Sequence, residues 1–513
     1  MKDKMEVETD NSATKVNGDM DDKNVKKSPK EPFSLSKLIQ KFLTFFTVEP
    51  YLLCYILPSI ICSVGVQKLN MEKACRVDLG YTEDICANVV AGNTSDNITE
   101  EALVGASTLV VDMTAWKDPL QTGIPAIFIL FVGAWSDRTG NRKALLLTPI
   151  IGEVMSLIGL MIGTYYFYEL PLWVMGLIQA MSSIFTGGLP VAIMGAYSFI
   201  ADVTTPEERT FRIGVVAVIV TLGIPLGTAI SGVLTEAVGY YGIFGIAILM
   251  YIVGFIHTLF RIHDVRRTKI EGTFCYKLTQ FFHIRNIWDT ISLLFLSRGR
   301  MLAQILLVIW AHIVIMGPVV GEGTNLYVYT LNRYSMDLVD FSLFTTYSLI
   351  LGIVGTAIAV TVFSKWMSMH DCVLGIIATT SKVLSSLVYG LAPTRDWFFA
   401  GPVFDIFGNV GVTAIRSLGT KIVDPDKVGK MCSLIGFLDA IIPTIYTPMY
   451  SKILTATLQS FPGAIYILGS VMTVPDYFVF GMLYYLLKKQ QRDVVQNPNT
   501  KEMHAYENDV TAL

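Results

Sequence analysis

The chain has 513 residues, of which 52% are hydrophobic and only 16% charged, and its mean hydropathy is +0.52. Such a composition excludes an ordinary soluble protein of this length and predicts a membrane protein. The net charge of −3, with the cations gathered in short segments, argues against nucleic-acid binding.

The chain begins with a polar stretch in which lysines and acids alternate over residues 1–41. The first apolar run is not followed by a small-residue cleavage site, so the stretch does not fit a secretory signal peptide. We expect a disordered, solvated tail.

Twelve apolar runs of about 20 residues follow, each long enough to cross a hydrocarbon core of roughly 30 Å. They predict an all-α polytopic membrane protein with two six-helix halves, 42–260 and 301–487. The runs lie at 48–68, 112–134, 144–166, 172–200, 212–235, 240–260, 301–331, 340–364, 371–391, 397–420, 431–456 and 463–487.

The short segments rich in Lys and Arg indicate the orientation, because such loops stay on the cytoplasmic side. They are 138–143, 207–212, 261–300, 421–430 and 488–492. An even number of spans then places both termini, including the tail 488–513, in the cytoplasm.

The linker between the halves, 261–300, contains apolar residues at helical spacing among cations, which predicts an amphipathic helix on the inner membrane face. These apolar residues are Phe281, Ile284, Ile287, Trp288, Ile291, Leu294 and Phe295.

The first outward loop, 69–111, carries acceptor sequons at Asn93 and Asn97 together with Cys75 and Cys86. Glycosylation and disulfide formation both require the lumenal or extracellular side. We therefore expect glycosylation in this loop and a Cys75–Cys86 disulfide, since the other cysteines fall in helices or on the cytoplasmic side.

A charged turn, G-A-W-S-D-R-T-G-N-R-K, separates the second and third runs at residues 133–143. It resembles the signature of the major facilitator superfamily, G-x-x-x-D-[RK]-x-G-[RK]-R-[RK], except at Asn141. The matching residues are Gly133, Asp137, Arg138, Gly140, Arg142 and Lys143.

Two further segments, 202–212 with Arg209 and Arg212 and 424–430 after the tenth run, each combine a proline turn, acids and cations. They could latch the cytoplasmic ends of the two halves together through the Asp137 turn. Simple helix capping is the alternative.

Several stretches also resemble solute carrier family 46, which includes a proton-coupled folate transporter. They are Val48-Glu49-Pro50, 133–137, 198–202, 209–212, Arg416, Lys421, Val423, Gly429 and Lys430. The resemblance implies a twelve-helix secondary transporter. The chain lacks the acid that the folate transporter has in its fifth helix, because 213–218 holds no ionisable residue, so the substrate and the proton route should differ.

Ionisable residues within membrane helices are costly and mark functional sites. In the tenth run Asp405, Asn409 and Arg416 share one helical face, and in the fourth run Gln179 heads a polar face. In the seventh run Glu322 lies among Gly317-Pro318, Gly321 and Gly323, a pattern that predicts a broken helix beside an aqueous pocket.

These patterns predict the following roles. Arg416, Asp405, Asn409, Gln179 and Tyr329 bind substrate, with Arg416 holding an anionic group, and Glu322 or Asp405 carries the proton. The alternative for the charged residues is an internal ion pair that only holds helices together. Glu153 and Lys382, at equivalent places in the third and ninth runs, are expected to make structural pairs within their own halves.

No nucleotide-binding, zinc-protease or nucleophile-elbow motif occurs in the sequence, so neither an enzyme nor a metal or other cofactor is expected. The chain is predicted to be a secondary transporter of a small organic, anionic solute, working by alternating access with protons. A non-transporting receptor on the same fold is the alternative. The expected partners are the solute, protons and the lipid bilayer. The sequence leaves open the substrate, the oligomeric state, and whether the membrane is plasma or endolysosomal.

Overall fold

The structure is a computed structural model that describes residues 47–93, 96–204, 206–264, 299–423 and 428–496. The chain divides into two units, Met1–Phe46 and Thr47–Leu513, and all the described residues belong to the second. The predicted tail 1–41 and the amphipathic helix at 281–295 lie outside the described residues.

Every regular element in the described ranges is helical, which confirms the predicted all-α fold. In the first half the helices are α1 Glu49–Lys73, extended by a π-helical turn Ala74–Asp78, α2 Glu83–Val90, α3 Asn97–Thr139, α4 Arg142–Tyr165, α5 Leu172–Thr186, α6 Gly188–Val203 and α7 Pro206–Arg261. In the second half they are α8 Gly299–Tyr334, α9 Leu338–Ile358, extended by a π-helical turn Ala359–Trp366, α10 Asp371–Leu391, α11 Arg395–Phe404, α12 Val410–Ile422, α13 Val428–Thr457, α14 Ala464–Thr473 and α15 Asp476–Gln496.

Eight segments in the described ranges are long and apolar enough to cross a membrane. One of them, Val215–Arg261, has 47 residues and covers both the fifth and the sixth predicted spans, so the eight segments account for nine of the twelve. The remaining predicted spans, 112–134, 397–420 and 431–456, coincide with α3, α11 with α12, and α13, which are helical but outside that set.

Glycines in the left-handed region divide two of the spans. Gly187 (φ 77°) and Gly188 (φ 54°) end α5 and start α6, so the predicted span 172–200 is two helices in series. Gly239 (φ 66°) kinks α7 between its two membrane-crossing parts. Side chains with a Cβ rarely adopt this backbone conformation, so glycine is what permits these bends.

The seventh span was predicted to be a broken helix, but the structure shows a continuous one. α8 runs continuously from Gly299 to Tyr334, although it contains Pro318. A Cβ at Gly317 or Gly321 would overlap the rings of Tyr446 and Tyr450 respectively, so these glycines accommodate two tyrosines of α13. They serve close packing here and do not break the helix.

The tenth span was predicted to be continuous, but the structure shows it interrupted. α11 ends at Phe404 and α12 begins at Val410, with residues 405–409 in turns between them. The predicted shared face of Asp405, Asn409 and Arg416 requires a continuous helix. The helix is interrupted, so this prediction is wrong.

The two halves pack together through α3 against α13 and α7 against α9. Across the two halves, Asn332 Nδ2 donates to Ser107 Oγ at 2.6 Å, and Lys452 Nζ lies 3.3 Å from Asp112 Oδ1. Thr228 and Thr346 hydroxyls meet at 3.0 Å. These contacts hold the two halves against each other.

The loop between α1 and α3 takes part in this contact between the halves. Cys75 and Cys86 form a disulfide that ties α2 to the end of α1, and Cys86, Val89 and Val90 are buried. At Gly92 (φ 70°) the chain approaches the α8–α9 turn so closely that a Cβ would lie 2.7 Å from the carbonyl oxygen of Ser335. We call Cys75–Gly92 the outer cap.

Both predicted glycosylation sites follow the outer cap. Asn93 and Asn97 are exposed, the latter as the first residue of α3. Asp96 caps α3 by accepting a hydrogen bond from Thr99, and this bond lowers the pKa of Asp96. Glycosylation of the two asparagines stays a prediction.

Candidate functional site: a polar cavity and a buried charge cluster

A cavity of about 390 Å³ lies among α1, α3, α4, α5, α7 and α8. Most of its wall comes from the first half, and α8 supplies the part from the second half. The residues that line it are Ser59, Cys62, Ser63, Val66, Gln67, Asn70, Val110, Val111, Thr114, Lys117, Asp118, Gln121, Glu153, Ser156, Leu157, Leu160, Gln179, Ser182, Tyr251, Gly323, Thr324, Asn325, Tyr327 and Val328.

A network of amides and one ammonium group crosses this cavity. Gln179 Nε2 donates to Asn70 Oδ1 at 3.0 Å, while Lys117 Nζ and Asn70 Nδ2 each lie 3.4 Å from Gln179 Oε1. Lys117 also lies 3.2 Å from the carboxylate of Asp118. Hydrogen bonds of 3.4 Å are weak. A solute with an acidic or carbonyl oxygen could therefore replace them at a small cost in free energy.

Lys117 is the one cation among the lining residues. It was not among the residues predicted from the sequence to bind substrate. The signal was available, because Lys117 and Asp118 are adjacent ionisable residues within the predicted span 112–134. Gln179, by contrast, lines the cavity as its polar face predicted.

Glu153 differs from its predicted role as a structural ion-pair partner. It lines the cavity, accepts a hydrogen bond from Tyr55 Oη at 3.3 Å, and makes no ion pair with any described residue. α4 is therefore part of the cavity wall and more than a peripheral scaffold.

A buried charge cluster lies inside the second half. Lys382 Nζ of α10 donates to Glu322 Oε2 of α8 at 2.7 Å, and the two side chains are 8% and 6% exposed. Asp405 accepts from Ser385 Oγ at 3.0 Å and interacts electrostatically with Lys382. Lys382 therefore pairs within its own half, as predicted, and its partners are the two acids proposed as proton carriers.

Glu322 consequently faces the interior of the second half and not an aqueous pocket, which corrects the sequence prediction. Residues 323–328 of the same helix include five that line the cavity. α8 thus presents the cavity on one face and the charge cluster on another.

Four of the five predicted substrate contacts lie away from the cavity lining. Tyr329 is 1% exposed and donates to the Tyr389 carbonyl at 2.9 Å within a group of packed aromatic rings. Asn409 is positioned against Gly352 of α9. Asp405 is in the charge cluster.

Arg416 is the fourth, and its side chain is 55% exposed. It donates to Asp439 Oδ2 at 2.7 Å, while His312 Nε2 lies 2.7 Å from Asp439 Oδ1. This Arg416–Asp439–His312 group links α12, α13 and α8. Its histidine was not singled out from the sequence.

The charged turn after α3 is built from contacts within the first half. Gly140 (φ 66°) ends α3, and Asp264 Oδ1 accepts from the backbone N–H groups of Arg142 and Lys143 at 2.9 Å each. Arg142 Nε donates to Asp202 Oδ2 at 2.8 Å. An acid at the first turn of α4 is the capping arrangement given as the alternative to a latch.

Arg212 likewise binds within the first half, through a buried pair with Glu49 at 3.0 Å. The side chains of Asp137, Arg138 and Arg209, and residue Gly133, lie outside what the structure describes in detail. The latch between the halves stays a prediction that rests on Asp137.

The sequence of residues 111–447 matches the model of the Major Facilitator Superfamily. The chain belongs to the major facilitator superfamily. This agrees with the charged turn and with the two helical halves.

Similar proteins include named members of solute carrier family 46. The chain is 24% identical to the probable peptidoglycan muropeptide transporter SLC46 of Drosophila melanogaster, over 88% of each chain. It is 24% identical to the lysosomal proton-coupled steroid conjugate and bile acid symporter SLC46A3 of Gallus gallus, over 86% of this chain and 93% of the relative. It is 20% identical to the proton-coupled folate transporter of Rattus norvegicus, over 79% and 85%.

Solved structures of the same fold include the human organic anion transporter MFSD10, at 12% identity with a TM-score of 0.52 over 85% of this chain and 98% of that one. The POT family transporter PepTSo matches at 12% identity with a TM-score of 0.55 over 86% and 98%. At this identity the likeness shows the fold alone.

Proposed function

We propose that this chain is a proton-coupled symporter that moves a small, polar organic acid across a membrane by alternating access. The observation that carries the proposal is the arrangement around α8. One face of this helix borders the cavity, and Glu322 on another face pairs with Lys382. A shift of α8 would therefore affect the solute site and the charge cluster together.

The cavity supports a polar, acidic solute. Its lining includes the side-chain amides of Gln67, Asn70, Gln121, Gln179 and Asn325, which can donate and accept hydrogen bonds. Lys117 adds one positive charge that can bind a carboxylate or sulfate group. Asp118 and Glu153 favour a solute that also carries donor groups such as hydroxyls or amides.

The charge cluster supports proton coupling. Glu322 and Lys382 are screened from water and can bring one charge of each sign, and the partly buried Asp405 beside them can add a second negative charge. An uncompensated charge is costly there, so one bound proton would make the cluster neutral. The proton belongs to the cluster as a whole, because interacting groups share their titration.

The names of the relatives agree with this reading without identifying the substrate. Two of them are called proton-coupled, and the substrates in their names are steroid conjugates, bile acids and folate. We propose that the outer cap faces an acidic lumen or the extracellular side and that both termini face the cytoplasm. A lysosomal or a plasma membrane would supply the inward proton gradient.

Uptake by the full chain in proteoliposomes tests the proposal. Labelled folate, a bile acid conjugate, a steroid sulfate and a small muramyl peptide would be offered at acidic and at neutral outer pH. We expect saturable uptake of at least one probe, faster at acidic outer pH and accompanied by acidification of the vesicle interior. Saturable binding of a probe without its accumulation would favour the receptor alternative.

A further inference from the structure

A second carboxyl lies in the core of the second half, apart from the charge cluster. Asp476 is the first residue of α15 and is 0% exposed, and neither of its carboxyl oxygens has a hydrogen-bond partner among the described residues. α14 ends at Thr473, so Asp476 follows a short interruption of the twelfth span at Val474–Pro475.

Four titratable side chains on the helices packed against α15, which are α8 and α10, have other partners. On α8, His312 contacts Asp439 and Glu322 contacts Lys382 of α10. Asp371, also on α10, pairs with Lys421 at 2.6 Å. On α15 itself, Tyr477 donates to Thr380.

Tyr446 of α13 is the titratable side chain that interacts with Asp476 in the described part of the chain. A tyrosine hydroxyl carries no charge when protonated, so it cannot balance a carboxylate. An ionised Asp476 would therefore be a buried, unpaired charge, whereas the protonated carboxyl is neutral.

Asp476 lies on the same span as a residue that contacts Glu322, so the two carboxyls are near each other along the transport path. Gly469 of α14 lies against the carboxyl group of Glu322 and the hydroxyl of Tyr450. Asp476 follows Gly469 by seven residues, about two helical turns or roughly 10 Å along the span toward its cytoplasmic end. Tyr450 and Tyr446, with ring centroids 6.3 Å apart, lie along the same interval.

We propose that Asp476 is a second proton-binding site of the carrier, separate from the Glu322 cluster and nearer the cytoplasmic side, which binds a proton of its own in each cycle. The carboxyl gains its O–H bond by taking a proton that has entered from the outer side, and it breaks that bond by giving the proton to water on the inner side. No other group is oxidised or reduced. The inference rests on the proposed proton coupling, and it adds a second proton to each cycle.

Infrared spectroscopy of the purified full chain in lipid nanodiscs tests the site without any substrate. We expect a protonated-carboxyl band at neutral pH that is lost in Asp476→Asn and kept in the control Thr473→Val, a buried neighbour one turn away. If Asp476→Asn leaves the whole carboxyl region unchanged, the inference is wrong. Asp476→Ser provides a second neutral variant if the asparagine variant does not fold.

Transport measurements then separate a working proton site from a permanently protonated one. We expect the Hill coefficient for protons to fall from about two to about one in Asp476→Asn, because one of two binding steps is lost. Asp476→Glu should restore part of it. An unchanged proton dependence in Asp476→Asn would overturn the inference. Loss of the infrared band without uptake of any probe would leave the site in place and count against the proposed function instead.

Discussion

The cavity and the charge cluster hold their charged residues in different ways. In the first half Lys117, Asp118 and Glu153 line a cavity and are held by weak or single contacts. In the second half Glu322 and Lys382 are bound to each other at 2.7 Å and shielded from solvent. Loosely held charges are available to a solute, whereas tightly paired ones respond to protons and hold helices together.

The largest effect is expected from removing the cation of the second half. Lys382→Met leaves the buried carboxyl of Glu322 without its counter-charge, and removing one partner of a buried pair typically costs about 3 to 5 kcal/mol. We expect a large fall in thermal stability and loss of transport. Fluorescence-detected thermal unfolding in detergent would measure the first.

The matched control for that variant is Lys117→Met, which makes the same change at the cavity. Its effect on thermal stability should be small, because Lys117 makes only long contacts. Equal destabilisation by the two substitutions would contradict the proposed difference between the cavity and the charge cluster.

A smaller but specific effect is expected on solute affinity. Lys117→Gln removes the positive charge of the cavity and should raise KM for an acidic solute about tenfold, the equivalent of about 1.4 kcal/mol. The pH dependence of uptake should persist. Initial rates of uptake over a range of solute concentrations would show this.

Arg416→Ala tests whether the anion-binding cation lies in the cavity or at Arg416. The sequence suggested Arg416 as the anion-binding residue, but the structure pairs it with Asp439 outside the cavity lining. We expect its KM to change less than that of Lys117→Gln. A larger change in KM for Arg416→Ala than for Lys117→Gln would indicate that Arg416, in the second half, binds the anionic group.

The smallest effect on transport is expected at the outer cap, where the change acts on the conformation of the protein. Gly92→Val places a branched side chain at φ 70° against the Ser335 carbonyl, a strain of order 1 to 3 kcal/mol in the outward-closed form. The variant should populate the outward-open form more and expose Ser107 and Asn332. Labelling of a cysteine introduced at Ser107 by an impermeant reagent would report this, with Gly80→Val as the control because nothing lies near that glycine.

Apolar run lengths and the charged turn predicted the helical fold and the superfamily well, because membrane spans obey simple rules of length and charge. Local interruptions were harder to predict. The glycines beside Pro318 suggested a break, yet they accommodate tyrosines from a distant helix, while the turns at 405–409 interrupt a run that looked continuous. Glycine has the same sequence signature whether it bends a helix or lets another side chain approach.

The candidate site was predicted only in part. Gln179, Glu322, Asp405 and Lys382 were singled out as unusual polar residues in membrane spans, and all four lie in the cavity or in the charge cluster. Which of them meet depends on contacts between helices far apart in the chain, such as α8 with α10, and periodicity within one helix cannot reveal such contacts.

The most direct test of the division between solute and proton sites compares Glu322→Gln with Lys117→Gln in one assay. Solute counterflow and solute-driven acidification would both be measured in proteoliposomes. We expect Glu322→Gln to keep counterflow with a much shallower pH dependence, and Lys117→Gln to lose solute affinity with its pH dependence intact. Asp405→Asn would show whether the proton resides mainly on the other carboxyl of the cluster. Full pH dependence in both Glu322→Gln and Asp405→Asn would contradict the assignment of proton coupling to the second half.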